Sequence, residues 1–207
     1  MLNANSVSSL NLTLNESQIE LLSRYESLFK ERNSQLNLIS KNDEKYLFEK
    51  HIFDSLAFNL IEKSEGTLLD IGTGGGFPSV ILAMIYPNLK IDAIDSIKKK
   101  INAVEHFKTA LNLSNLNPIC DRVENINTKY DFVVSRAVTS LDKLLELSIP
   151  KVKKGGYLIA YKSKKYLEEL QQAQSVIKKY SLSTPQIISY KLPLEEVYER
   201  YLVIFKL

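Results

Sequence analysis

The chain is 207 residues long, 44% hydrophobic and 25% charged, with a net charge of +3. That is enough apolar material for one substantial domain with a small appendage. The single cysteine, Cys120, excludes a disulfide framework. No apolar run approaches a membrane span, and the first fifteen residues carry neither the basic residue nor the long apolar core of a secretory signal, so a cytoplasmic protein is expected.

The first twelve residues are polar and read as a loose tail. Thr13-Leu14-Asn15-Glu16 matches a capping box and should open a helix, with Ile19, Leu22, Tyr25, Leu28 and Phe29 on one face to about Arg32. Asn33 and Ser34 turn the chain into Asn37-Leu38-Ile39. Asn42 or Asp43 then caps a second helix that carries Tyr46, Leu47, His51, Ile52 and Leu56 to about Glu62. Residues 1–64 thus form a helical extension without strands, and residues 65–207 the main domain. The extension is acidic, with 7 Lys/Arg against 10 Asp/Glu in residues 1–65. The remainder is basic, with 20 against 14.

From residue 67 strands and helices alternate. Strands are expected at 67–71, 90–94, 116–120, 132–135 and 157–161. Helices are expected at 78–86, 97–111, 141–149 and 164–180, with Pro87 and Pro150 as stops and Gly155-Gly156 as a turn before the fifth strand. Two closing runs, 186–190 and 201–205, have no long helix between them. They suggest an antiparallel pair at one edge of an otherwise parallel sheet. A dehydrogenase domain would continue in β-α-β units, so this ending favours the methyltransferase variant of the doubly wound fold.

The chain is organised around Asp70-Ile71-Gly72-Thr73-Gly74-Gly75-Gly76-Phe77-Pro78-Ser79, where a buried strand runs into four glycines in five residues and then a helix. Such a turn brings backbone close to a ligand at a strand's carboxyl end. A dinucleotide fingerprint, G-x-G-x-x-G, fails when counted from Gly72, because Phe77 takes the third glycine position. Counted from Gly74 it survives loosely, with Ser79 in that place. S-adenosylmethionine, which has no phosphate, is the alternative ligand. Asp95, 23 residues after Gly72 at the end of the next strand, suits ribose hydroxyls in either cofactor. Three lysine clusters, at 98–100, 151–154 and 162–165, either steer a polyanion or form a solvated face.

With Asn37-Leu38, His51-Ile52-Phe53-Asp54-Ser55-Leu56, the glycine block, Asp95-Ser96, Arg122-Val123-Glu124, Ser135-Arg136-Ala137 and Lys162 in this order, the sequence resembles the bacterial glucose-inhibited division protein B family over nearly its whole length. The resemblance implies a class I S-adenosylmethionine-dependent methyltransferase: a Rossmann-like, mostly parallel seven-stranded sheet with an antiparallel edge strand, preceded by a helical segment. It implies methyl transfer to guanine N7 in 16S ribosomal RNA, free or in an assembling small subunit, by a monomer with no metal and no membrane partner. It implies that Gly72, Thr73, Gly74, Gly76 and Phe77 line the cofactor's methionine and ribose side. Asp95 is the ribose acid, Ser96 joins it among the cofactor-binding residues, and Val123 and Glu124 lie beside the adenine. Arg136 stands at the cofactor–substrate junction, and Arg136 and Lys162 are the catalytic residues. Ser79 and Ser163 stand where the family usually has glycine.

Guanine N7 carries a free lone pair and needs no general base, which agrees with a chain that has only His51 and His106. By their setting alone, His51 reads as a hydrogen-bonded structural residue, His106 as surface, Asp54 as a cap or partner within the helical extension, and Cys120 as core. Two other functions compete: a nicotinamide-dependent oxidoreductase, and a non-catalytic RNA-binding module of the same fold.

Overall fold

A computed structural model describes residues 6–136 and 138–207. Its centre is a seven-stranded sheet of β1 (Gly66–Ile71), β2 (Leu89–Asp95), β3 (Leu116–Cys120), β4 (Tyr130–Arg136), β5 (Val152–Lys162), β6 (Gln186–Leu192) and β7 (Tyr198–Lys206). The spatial order is β3-β2-β1-β4-β5-β7-β6. The first five strands are parallel. β7 runs antiparallel to both β5 and β6 and lies one place in from the edge. The connection from β6 to β7 is too short for a crossover helix, which forces this reversal.

Strand alternation divides the core into two layers. Leu68, Phe132, Val134, Ile159, Tyr161, Leu202 and Ile204 face one side, and Leu69, Val133, Leu158, Ala160, Val203 and Phe205 the other. The first side is covered by α4 (Ser79–Ile85), α5 (Lys98–Leu111) and the helical N-terminal segment. The second is covered by α6 (Leu141–Ser148), α7 (Tyr166–Gln172) and α8 (Gln174–Lys179). The single helix expected over residues 164–180 is broken at Ala173, whose buried methyl packs into the second layer.

The N-terminal segment begins with α1 (Glu16–Leu36). Its capping box is formed by Asn15 and Gln18, not by Thr13 and Glu16. Asn15 Oδ1 accepts from Gln18 N at 2.9 Å, and Asn15 N donates to Gln18 Oε1 at 3.0 Å. Likewise Ser40, not Asn42 or Asp43, caps α2 (Lys41–Glu44), accepting from Asp43 N. The expected second helix is a relay: α2, a π-helical stretch Phe48–Phe53, α3 (Asp54–Leu56) and a 3₁₀ turn Ala57–Ile61.

Two further expectations change. Gly155 and Gly156 lie inside β5, which starts at Val152 instead of about residue 157. A β-carbon on Gly156 would stand 2.8 Å from Asp131 O, so glycine lets two strands approach closely where their register shifts. Cys120 is exposed, at the end of the edge strand β3, and not in the core.

Candidate active site

The candidate residues follow the carboxyl ends of parallel strands, and the glycine turn leaves β1, the strand that borders β4 where the strand order reverses. That crevice is where open α/β sheets bind ligands. The turn is built by three left-handed glycines, Gly72 (φ +70°), Gly74 (φ +58°) and Gly76 (φ +95°). A β-carbon on Gly76 would lie 2.4 Å from Val80 Cγ2, whereas one on Gly74 would meet nothing nearer than 3.9 Å. Gly76 is thus closed by the protein's own helix, and Gly74 faces open space.

The amides of the turn are largely committed within the protein. Gly72 N and Thr73 N donate to Ile94 O (2.8 and 3.0 Å), and Gly76 N and Phe77 N to Thr73 O (2.9 and 3.0 Å). Gly74 N donates to Asp95 Oδ2 at 3.0 Å. A pyrophosphate cradle needs such N–H groups free, so the dinucleotide reading does not fit this turn. The site is instead lined with carboxylates. Asp95 is 8% exposed, accepts also from Ile97 N at 2.9 Å and lies 3.7 Å from Lys100 Nζ.

Asp70, at the end of β1, is fully buried and accepts from Ser79 N at 3.2 Å, where α4 begins behind Pro78. Burial pushes its carboxyl up to about 7 against the pull of Thr73 and Ser79. Its Oδ1 has no partner among the described residues. Two carboxyl groups, one with an orphaned acceptor, suit a ligand that carries an ammonium group, as the zwitterionic amino-acid end of S-adenosylmethionine does. Ser79, where glycine is usual, is accommodated because its hydroxyl meets Thr73 Oγ1 at 2.5 Å in the buried space under the turn.

Phe77 does not present its ring to the crevice. It is 3% exposed and packs against Phe29 (5.1 Å between centroids), Tyr25 (6.1 Å) and His51 (5.0 Å), pinning the turn to the N-terminal segment. The Arg136 guanidinium lies over the same ring, 5.0 Å from its centroid. Its Nη1 donates to Lys50 O (3.1 Å) and Asp54 Oδ2 (3.2 Å), and its Nη2 to His51 Nδ1 (2.8 Å). A guanidinium only donates, so His51 Nδ1 is the acceptor. Burial, reinforced by Arg136, lowers the His51 pKa to about 4.

Asp54 does not pair within the helical segment, contrary to expectation. It reaches out of it, to Arg136, Arg200 and the Tyr190 hydroxyl. Burial pushes its carboxyl up, but Arg200, Arg136 and Tyr190 outweigh that and hold it below its ordinary value. His106 is not a surface residue either. It is half-buried and bonded through Nδ1 to Arg32 at 2.8 Å, which joins α5 to α1.

Lys162 is turned away from Arg136. It is 7% exposed and bonded to Glu169 Oε2 (2.6 Å) and Thr139 O (3.2 Å), fastening the segment after β4 to α7. Ser96 is exposed between β2 and α5, and Val123 and Glu124 form a 3₁₀ turn after β3, Val123 buried and Glu124 exposed. Ala137 lies outside the described residues. Among the described residues no group of His, Cys, Asp or Glu is placed to hold a metal ion, and no helix is long and apolar enough to cross a membrane.

Comparison with known proteins decides the lineage. The family profile of GidB, rRNA small subunit methyltransferase G, matches residues 18–198. The chain belongs to the GidB family. It is similar to ribosomal RNA small subunit methyltransferase G of Staphylococcus saprophyticus, 38% identical over 93% of this chain and 83% of the relative. It is equally similar to that of Lachnoclostridium phytofermentans, 38% identical over 96% and 85%. Solved structures share the fold at lower identity. An S-adenosylmethionine-dependent methyltransferase from Aquifex aeolicus has a TM-score of 0.60 and 20% identity, covering 80% of this chain and 95% of that one. TYW2 from M. jannaschii, in complex with AdoMet, has a TM-score of 0.59 and 17% identity, covering 75% and 74%.

In this GidB chain, the sequence points to the turn, Asp95 and Arg136 at one edge but assigns no roles to Asp70, Tyr190 and Arg200. Asp70 carries a signal, being the penultimate residue of β1, just before the glycines. Tyr190 and Arg200 carry none, because only the pairing of β6 with β7 brings them together. A cavity of about 660 Å³ beside Gly66, Asp131 and Lys154 is at the opposite, amino edge of the sheet and away from all of these groups.

Proposed function

We propose that the chain transfers a methyl group from S-adenosylmethionine to N7 of a guanine in 16S ribosomal RNA. The observation that carries this reading is the GidB match across residues 18–198. The carboxylate-lined glycine turn supports it. Gly74 offers the open approach for the cofactor's amino-acid end, Asp95 the acceptors for its ribose, and the turn Val123–Asn125 a wall for its adenine. Bound there, S-adenosylmethionine supplies a sulfonium methyl that guanine N7 takes up through its lone pair without losing a proton.

The protein's part is then positioning, worth roughly 7–11 kcal/mol in favourable cases. The two histidines agree with this. Each accepts an arginine hydrogen bond at Nδ1, and neither is a free base at the edge of the sheet. Arg136 and Phe77 hold the turn against the N-terminal segment, and Arg136 and Lys162 act as positioning residues on opposite faces of the sheet.

The test is transfer of tritium from labelled cofactor to unmodified 16S transcript or small-subunit particles, followed by nucleoside analysis. Label in 7-methylguanosine is the expected result. Label in another nucleoside overturns the N7 assignment, and no label in either RNA overturns the reading. A single-turnover rate that varies little between mildly acidic and mildly basic pH is expected as well, and a bell-shaped profile removed by His51→Gln contradicts base-free transfer.

A further inference from the structure

Beside the glycine turn, between the N-terminal segment and the β6–β7 pair, a cleft of about 220 Å³ is lined by Asp43, Lys50, His51, Asp54, Arg136, Leu192, Tyr198 and Arg200. Its charges do not balance. Asp43 pairs with Lys50 at 2.9 Å, but the single carboxylate of Asp54 is shared by two guanidiniums. Four donors reach Asp54: Arg136 Nη1, Arg200 Nε, Arg200 Nη2 and the Tyr190 hydroxyl. They fill the roughly four lone-pair sites a carboxylate has.

His51 adds no further positive charge, since burial and Arg136 lower its pKa to about 4. One positive charge remains, on side chains only 12% and 15% exposed. Arg200 Nη1 has no acceptor among the described residues. A largely desolvated guanidinium with an open edge is a site for an anion, and a phosphate fits it with charge-assisted bonds.

The rim adds a second, independent feature. Tyr198, which lines the cleft, is 47% exposed, and Tyr46 is 45% exposed with Lys50 Nζ 5.1 Å from its ring centroid. A single exposed aromatic needs no explanation. One lining a cationic cleft and one against that cleft's Lys50 form the combination that holds single-stranded nucleic acid, a charged track with rings for bases to stack on. No residue of the glycine turn, nor Asp95, lines this cleft.

We propose that the cleft is the docking subsite for the RNA strand that flanks the methylated base. Arg200 holds a backbone phosphate there, and Tyr198 and Tyr46 stack neighbouring bases. The proposal rests on the reading of the chain as an RNA methyltransferase and adds where the strand is gripped.

The test uses the full chain and an unmodified 16S transcript, with RNA binding measured across a salt series, cofactor binding by calorimetry and fold by melting temperature. Tyr198→Ala and Tyr46→Ala change exposed positions that fold readily. Each is expected to weaken RNA binding roughly five- to a hundredfold while cofactor affinity and the salt slope stay as in the parent. Arg200→Gln is expected to lower the salt slope by about 0.7–0.9, and Arg200→Lys to restore it. Parental RNA affinity in both tyrosine variants overturns the subsite. So does an unchanged salt slope in a folded Arg200→Gln protein. Loss of cofactor affinity in the tyrosine variants also overturns it, by assigning the cleft to the cofactor. Failure of the parent chain to methylate the transcript or the small-subunit particle overturns the functional reading and the subsite with it. Methylation by the parent, with tyrosine variants that bind RNA normally, overturns the subsite alone.

Discussion

His51 packs on the Phe77 ring and Asp70 is the penultimate residue of the strand that enters the same turn, yet the two make opposite demands on pH. The folded pKa of His51 is about 4, below its ordinary 6.5, so in that window the unfolded chain binds the extra proton and stability is lost as pH falls. The folded pKa of Asp70 is about 7, above its ordinary 3.8, so there the folded chain holds the extra proton and stability is lost as pH rises. Each slope reaches about 1.4 kcal/mol per pH unit at most, and between about pH 4.5 and 6.5 the two oppose each other. Urea unfolding across that range should show stability falling with pH in His51→Gln and rising with pH in Asp70→Asn. Parallel profiles in the two variants would refute the assignment. Asp95→Asn, which keeps one acceptor for the turn but loses the charge, should bind S-adenosylmethionine roughly ten- to a hundredfold more weakly, a difference of about 1.5–3 kcal/mol. Calorimetry beside a melting curve separates that from misfolding. The orientation of two other residues is legible in the sequence. With a period of two, Arg136 shares a face with Phe132 and Val134, and Lys162 with Leu158 and Ala160. The partners on those faces, Asp54 and Glu169, are 82 and 7 residues away in sequence, and no spacing rule names them.

At the scale of elements, the sequence announces what local chemistry controls. The strands β1 to β4, α5 and the antiparallel ending follow from apolar runs and from the absence of a helix between the last two strands. Misses occur where a tertiary contact overrides a local signal. Asn15 and Ser40, not the neighbouring candidates, are the residues whose side chains accept a first-turn amide, from Gln18 N and Asp43 N. Gly155 and Gly156 continue a strand instead of breaking it, and at Gly156 the lack of a side chain lets β5 approach Asp131. The glycine turn yields a prediction of the same kind. Gly74→Ala meets no neighbour nearer than 3.9 Å and carries only the left-handed penalty, about 1–2 kcal/mol. Gly76→Ala carries that penalty and a 2.4 Å approach to Val80 Cγ2 in the closed layer beneath α4, so it should be the more destabilised by chemical denaturation. Equal stability of the two variants would show that α4 yields freely. Gly74→Ala should nonetheless give up more cofactor affinity per unit of stability, since its added methyl points into the open side of the turn.

For the whole molecule, the sheet sorts the basic residues into groups that composition cannot separate. Residues 66–207 carry 20 Lys/Arg against 14 Asp/Glu, and the three clusters look alike in sequence. Lys98 and Lys99 follow β2, and Lys164 and Lys165 follow β5, all exposed at the carboxyl edge beside the proposed site. The third cluster begins β5 at the amino edge. Lys151 is buried and donates to Glu124 O and Ile126 O, and Lys153 pairs with Asp131 at 2.9 Å. Only Lys154 in that group is exposed. The number of phosphates a protein neutralises sets the salt dependence of binding, at about 0.7–0.9 in slope for each phosphate. If the RNA approaches the carboxyl edge, Lys98→Gln/Lys99→Gln and Lys164→Gln/Lys165→Gln should each flatten the slope, with the melting temperature unchanged. Lys154→Gln should leave the slope as it was. A flattened slope in Lys154→Gln, with none in the other two, would place the RNA on the amino edge beside the cavity that Lys154 lines, and the strand would then have to pass around the sheet to deliver its guanine to the glycine turn.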